Sequence, residues 1–263
     1  MTTSIERWCQ AANRLDAWEG LIAIKALFRL AVLLGSLLAG IGLVHAEEAK
    51  GRNLIVELAG RTVSFPTPPG FCPFRDGNAF ERDFTRSMHQ AMKQLTVRII
   101  LLFGNCHDLG KLRKSGRHPI SSYGNYVVAL TPEGAVVVLP PGVDRVDFVR
   151  SQVAEYQNFD VAGVMTLASR AAAELGVKID HARVGIIEST TDVAYLATYT
   201  AARADTGFAG PVAGITAITA IRGIPVFASF SRPLKGTSTY EALLAEAKIA
   251  IGKVISANIG VAN

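Results

Sequence analysis

The sequence predicts an α+β fold, in which an antiparallel sheet built from hairpins is flanked by helices and preceded by an N-terminal signal helix. Three observations predict it. Two β-rich runs flank Arg222–Gly223 and lead into a long amphipathic helical pattern within residues 215–258. Most other apolar runs are joined by short turn signals, and short connections favour antiparallel strands. An uncharged apolar run near the N-terminus has the form of an export signal.

The C-terminal hairpin gives the strongest strand signal. Val226 and Phe230 fall on one face of an alternating run, and Phe227 falls on the other. The alternation therefore predicts a sheet that is covered on both faces. Pro225 has no N–H to donate, so it suits the start of a strand or a sheet edge.

The last helix is predicted from its start signal and its apolar stripe. Ser238 and Glu241 form an S-x-x-E pattern, which predicts a capping box. Apolar residues then recur at three- and four-residue spacing, which places them on one helix face. These residues are Tyr240, Leu244, Ala247, Ile251, Val254 and Ile255. A stripe of this kind needs an apolar surface, and the preceding hairpin offers one.

Residues 1–46 are predicted to be a signal peptide. A basic flank, a fifteen-residue uncharged run from Leu30 to Val44 and the small residue Ala46 match such a segment. The run is short for a bilayer span, which needs roughly 20 apolar residues. We expect removal near Ala46, and a retained membrane anchor is the alternative. Residues 47–263 are then expected to form a single α+β domain.

The predicted signal peptide indicates a periplasmic protein. If the N-terminal helix is retained and contacts the membrane, the protein is anchored in the inner membrane instead. The 263-residue chain has a net charge of +5 that is spread along its length. One basic cluster, Lys111 to Lys114 with Arg117 and His118, could meet a phosphate or an anionic head group. We favour a solvated loop there. Nucleic acid is not an expected partner of an exported chain.

The cysteines predict a disulfide. Cys72 and Cys106 are the only cysteines after residue 46, and an even pair in an oxidising compartment favours a bond between them. The alternative makes Cys106 a nucleophile with His107 and Asp108 beside it. Neighbours in sequence rarely form a catalytic triad, because such partners meet in space. We therefore favour the disulfide.

The first half of the domain predicts a hairpin, a helix and a strand. The hairpin turns at Ala59–Gly60, and Asn78 is expected to cap the helix. Val97 to Phe103 is an apolar run typical of a buried central strand. Residues 104–122 are polar and predict a long excursion. The helix carries a core stripe of Phe80, Phe84, Met88, Met92 and Leu95.

The second half predicts two more hairpins with helices between them. Runs within residues 126–139 flank a turn at 131–134, and runs within residues 184–200 flank a turn at 190–192. Residues 207–214 predict a flexible, glycine-containing connector.

Two aspartates suit the helix starts between these hairpins. Asp144 precedes a helix that is expected to run to about Gln157, and Asp160 precedes an alanine-rich helix that stops near Gly176. Together with the other elements, these helices complete the predicted α+β order.

The sequence carries no catalytic signature that we can name. It has no phosphate-binding glycine loop, no nucleophile elbow and no zinc-binding helix motif. His107, Asp108 and His118 are the candidate ligand or metal site, because imidazole and carboxylate groups suit zinc or similar ions. The pattern offers no further strong ligand beside them. We therefore predict no catalytic residue, no metal and no cofactor.

Four short motifs resemble a set of exported proteobacterial proteins of unassigned function. The motifs are Pro69-Gly-Phe-Cys72, Phe103-Gly-Asn-Cys106, Gly223-Ile-Pro-Val-Phe and the closing Ala257-Asn258. The order of hairpins and helices also resembles PsbP/Mog1-like domains, which place an antiparallel sheet between helices. That resemblance implies an accessory or binding module, and it implies no catalytic residues.

We therefore expect an exported envelope accessory or binding protein without catalytic activity, whose partner is an envelope protein or a small ligand. The alternative is a periplasmic hydrolase or thiol-dependent enzyme that uses Cys106 with a nearby histidine as base. A free, alkylatable thiolate would distinguish the enzyme from the binding protein.

Overall fold

The fold comes from a computed structural model. It describes residues 53–76, 78–93, 95–115, 118–157, 169, 172, 177–204 and 209–259. The predicted signal segment lies outside these residues, as does nearly all of the predicted helix after Asp160. None of the helices in the described ranges is long and apolar enough to cross a membrane.

Nine strands and four helices lie within the described ranges. In chain order they are β1 (Asn53–Leu58), β2 (Arg61–Pro66), β3 (Phe71–Pro73), α1 (Ala79–Lys93), β4 (Val97–Asn105), α2 (Cys106–Ser115), β5 (Tyr123–Ala129), α3 (Arg145–Gln157), β6 (Val177–Ser189), β7 (Ala194–Ala204), β8 (Ala209–Ile221), β9 (Ile224–Pro233) and α4 (Thr237–Ala257). Seven strands form one antiparallel sheet in the order β3-β4-β5-β9-β8-β7-β6, and β1 pairs with β2. The predicted α+β class and hairpin-built antiparallel sheet are confirmed.

Both faces of the large sheet are covered. Buried side chains of α1, α2 and α3 form one core with one face of the sheet. Those of α4 and the β1–β2 hairpin form a second core with the other face. The alternation of β9 explains the division, because Phe227 belongs to the first core while Val226 and Phe230 belong to the second. The predicted two-sided burial is confirmed.

The turn between β8 and β9 is the one that the sequence predicts. Arg222 and Gly223 have φ values of 52° and 70°, which suit a tight hairpin turn. Gly223 also lies close to the Arg61 guanidinium, which would be 2.5 Å from an added Cβ. Pro225 lies one residue before β9 begins to pair with β5, as expected for a strand start.

Several predicted helix starts are confirmed by hydrogen bonds. The Asn78 side chain accepts the backbone N–H of Phe80 at 2.9 Å, and Asp144 accepts that of Asp147 at 2.9 Å. The α3 helix ends at Gln157 as predicted. The hairpins β1–β2 and β6–β7 also form at the predicted turns.

The predicted capping box of α4 is wrong. The helix begins at Thr237 with Gly236 as its N-cap, and no side chain caps it. Neither Ser238 nor Glu241 makes the reciprocal bonds that a capping box requires. Thr239 instead turns inward and accepts the backbone N–H of Lys235 at 3.1 Å.

The buried stripe of α4 is rotated slightly from the predicted one. Tyr240, Leu244 and Ile255 are only partly buried at its margin. Tyr240 stays at the margin because its hydroxyl donates to the Thr198 carbonyl at 3.0 Å. The fully buried positions are Thr239, Leu243, Ala247, Ala250, Ile251 and Val254.

The prediction of a long excursion at residues 104–122 is wrong, because α2 spans Cys106–Ser115. Asn105 caps this helix by accepting the backbone N–H groups of His107 and Asp108 at 3.0 and 3.3 Å. Only two apolar side chains of α2 are fully buried, Leu109 and Leu112. Two buried positions give too short a periodic pattern to predict a helix.

Three strand predictions also need correction. The turn at 131–134 forms, but only one bridge, Leu130 to Val136, follows it. The β5 strand pairs with β4 and β9 instead. The β4 strand is next to the short edge strand β3 rather than central, and β8 already begins at Ala209 within the predicted connector.

The end of α4 is tied to the β1–β2 hairpin. Asn258 accepts the backbone N–H of Ser64 at 2.9 Å and donates to the Ser64 carbonyl at 2.8 Å. It also donates to the Val254 carbonyl at 2.7 Å. The side-chain amide thus bonds to the outer edge of β2 as a neighbouring strand would.

Candidate functional site

The predicted cysteines meet where α2 begins. Cys72 of β3 and Cys106, the first residue of α2, form a disulfide with a Cα–Cα distance of 4.9 Å. The sheet brings them together because Cys72 pairs in register with Gly104, two residues before Cys106. The predicted disulfide is confirmed. While it is intact, Cys106 has no thiolate to act as a nucleophile.

Asp108 fixes the segment that follows α2. One carboxylate oxygen accepts both the backbone N–H of Ser121, at 2.7 Å, and the Ser121 hydroxyl. The other oxygen lies 3.3 Å from Nε2 of His118. Asp108 is buried and His118 is partly buried. The structure therefore brings together two of the three predicted ligand residues, and it adds Ser121, which sequence reasoning missed.

His107, the third predicted ligand residue, is exposed. Across the described ranges, no group of three His, Cys, Asp or Glu residues is placed to hold a metal ion. The arrangement also differs from a catalytic triad, in which the histidine stands between the serine and the acid. Here Asp108 stands between Ser121 and His118, so these contacts restrain a loop.

A buried ion pair holds the other end of α2. The Arg113 guanidinium contacts both carboxylate oxygens of Glu81 on α1, at 2.6 and 2.7 Å, and the two side chains are 2% and 0% exposed. Arg113 also donates to the Pro73 carbonyl at 3.1 Å, and Glu81 accepts the Arg75 N–H at 2.7 Å. We call this ion pair, the Asp108 contacts and the disulfide the α2 corner.

Sequence reasoning did not predict this ion pair. Glu81 and Arg113 are 32 residues apart, and each resembles an ordinary surface charge. The one available signal is that Glu81 precedes Phe84 by three residues, so the carboxylate lies on the buried face of α1. The α2 corner as a whole cross-links β3, α1 and α2.

A groove lies on the opposite side of the sheet, between α4 and the open end of the β1–β2 hairpin. Its volume is about 670 Å³, within the range of small-molecule clefts. We call it the α4 groove. It is lined by Asn53, Pro66, Thr67, Lys248, Ile249, Gly252, Lys253 and Ser256.

The charges at the α4 groove are positive. None of the described residues that line it is acidic. The Lys248 ammonium is 2.7 Å from the Glu188 carboxylate and 5.8 Å from the centre of the Tyr195 ring. Burial, with a smaller effect of the Glu188 charge, raises the pKa of Tyr195 to about 12. Lys253 is exposed and has no ion pair with any residue in the described part of the chain.

Gly252 leaves open space beside the helix in the lining of the α4 groove. It lies inside α4, where glycine destabilises a helix by about 1 kcal/mol relative to alanine. A Cβ at this position would meet nothing within 4 Å. Ile249, on the preceding turn, is 53% exposed. A larger side chain at position 252 would therefore enter open space without disturbing the core.

Comparison with protein-family models and with curated proteins finds no match. Among solved structures, the chain is similar to the Saccharomyces cerevisiae Ran-binding protein Mog1p, with 15% identity over 80% of this chain and 94% of that chain and a TM-score of 0.28. A point mutant of Mog1 gives 14% identity over 79% and 93%, with the same TM-score. These matches agree with the weak Mog1-like resemblance that the sequence indicates. At this TM-score they carry no argument about partners or activity.

Proposed function

We propose that the chain is exported and acts in the periplasm as a binding or accessory protein without catalytic activity. The Cys72–Cys106 disulfide is the observation that carries this proposal. Such bonds persist in oxidising compartments and are rare in the cytosol. The apolar segment from Leu30 to Val44 would supply the export signal.

The contacts around Cys106 favour a structural role over thiol chemistry. A catalytic cysteine acts as a thiolate that a neighbouring base or cation activates. Cys106 is bonded to Cys72, and His118 lies against Asp108. The α4 groove, by contrast, offers a concave surface of ligand size that is separate from these cross-links.

The proposal is tested by the intact mass of the protein from a periplasmic fraction, after alkylation without reductant. We expect a chain that starts at Glu47, is two hydrogens lighter than the reduced form and carries no label. The Cys72→Ser variant is the matched control, because it frees Cys106 and should take up one label.

Two results would contradict the proposal. A labelled thiol in the unsubstituted protein would favour the thiol-dependent enzyme. A chain that keeps residues 1–46 and sediments with membranes would favour the anchored form over a periplasmic one.

A further inference from the structure

We propose that the α4 groove binds a small organic anion with an acidic head group and an apolar body. This inference rests on the proposed binding role and specifies its ligand class. It does not depend on export, because the described residues that line the groove come from β1, from the end of β2 with Thr67, and from α4.

The charge of the groove selects the head group. The Lys248 ammonium forms an ion pair with the Glu188 carboxylate, so the charge of this lysine is partly neutralised. Lys253 contributes a cation that no described acidic residue neutralises. An anion bound beside Lys253 would gain an ion pair without breaking an existing one. Asn53 and Ser256 lie in the same lining and carry groups that can donate hydrogen bonds to it.

The shape of the groove selects the apolar body. Ile249 precedes Lys253 by four residues, so both lie on the same face of α4. More than half of the Ile249 surface is exposed. Pro66 and Gly252 extend the apolar surface without adding charge. A ligand with its head group at Lys253 can therefore cover Ile249 with its body and remove that surface from water.

Titration calorimetry on the oxidised chain tests the inference, with octanoate as the probe. Octan-1-ol has the same body without the charge, and acetate has the charge without the body. We expect one octanoate per chain with a Kd below about 1 mM, and at least about tenfold weaker binding of octanol and of acetate.

Two substitutions locate the site. Gly252→Trp fills the groove and should weaken octanoate binding at least about tenfold, whereas Gly252→Ala should keep the affinity within about threefold and raise the Tm. Lys253→Gln should weaken octanoate binding about tenfold and leave octanol unaffected. Lys111→Gln, the same charge change on an exposed residue of α2, should alter neither.

Several outcomes would overturn the inference. Octanol binding as tightly as octanoate would show that the charge is not recognised. Unchanged octanoate binding to a folded Gly252→Trp variant would place the ligand elsewhere. No binding of octanoate to a chain with a normal melting curve would also refute it. None of these results affects the alkylation experiment, so failure here is distinguishable from failure of the proposed function.

Discussion

Two helices are held to opposite faces of the same sheet by different forces. The 21-residue α4 helix buries a continuous stripe over β8 and β9, in the same core as Ile215, Val226 and Phe230. The ten-residue α2 helix buries only Leu109 and Leu112 as apolar side chains. A disulfide, an ion pair and a set of carboxylate hydrogen bonds hold α2 instead.

The difference lies in how the stabilising free energy is distributed. Apolar burial contributes about 25 cal/mol per Å², so it is spread over many side chains of the α4 side. At the α2 corner a few bonds between specific atoms hold the helix in place. Reductant would break the disulfide, and the loss of one charged partner would leave the other buried and unpaired. Substitutions on the two sides should therefore differ in size and in how they can be rescued.

The largest effect is expected from Phe230→Ala on the apolar side. Phe230 is fully buried and lies 5.7 and 5.4 Å, between ring centres, from Phe71 and Phe103. Its truncation leaves a cavity and should lower the free energy of unfolding by about 5 kcal/mol. Urea denaturation measures this, with the exposed Ile249→Ala as control. A loss of under about 2 kcal/mol would mean that the core collapses around the cavity.

The next largest effect is expected from Arg113→Met at the α2 corner. It leaves the Glu81 carboxylate buried without its cation and should lower the free energy of unfolding by about 4 kcal/mol. The double variant Glu81→Met with Arg113→Met removes both charges and should recover most of that loss in the same urea experiment. If the double variant is no more stable than the single one, packing rather than the uncompensated charge explains the effect.

Removal of the disulfide should have a somewhat smaller effect. The cysteines are 34 residues apart, and opening a loop of this size should lower the free energy of unfolding by about 3–4 kcal/mol. The Cys72→Ser and Cys106→Ser double variant measures it by urea denaturation. Reductant should destabilise the native chain by a similar amount and leave the double variant unchanged. Equal sensitivity of both proteins to reductant would contradict the assignment.

The smallest effect is expected from an exposed ion pair on β6 and β7. Hydrogen bonds from Arg203 hold the pKa of Asp180 below its ordinary value of 3.8. The unfolded chain therefore binds the proton more readily, and the stabilisation is present above about pH 3.8 and lost as the pH falls through the folded-state pKa. Asp180→Asn should flatten this part of the Tm profile, and so should Arg203→Gln. An unchanged acid limb would show that other carboxylates determine it.

The apolar side of this comparison was largely predictable from sequence. Strand alternation placed Phe227 on the opposite face from Val226 and Phe230. This was predictable because successive side chains of a strand point to opposite faces of the sheet. The start of α4 was not, because the buried Thr239, rather than Ser238, accepts a nearby backbone N–H, that of Lys235. Tertiary context also decided which side chains of the helix stripe are most deeply buried.

The candidate sites show the same division. The disulfide was predictable because only one pairing exists after residue 46. The contact between Asp108 and His118 could be anticipated because the two residues are only ten apart in the sequence. The pairing of Arg113 with Glu81 could not, because these residues are 32 apart. The α4 groove was not predictable at all. Its described lining comes from residues 53, 66 and 67 and from α4, which meet only once the hairpin has docked on the helix.

The amide of Asn258 has a consequence for self-association. An unpaired strand edge is a template on which another chain can add a strand. Asn258 bonds to both the backbone N–H and the carbonyl of Ser64, so these groups at the middle of β2 cannot pair with a strand of another chain. A single polar side chain at the C-cap of α4 thereby blocks strand addition at this edge, and its loss would be seen first as aggregation in concentrated solution.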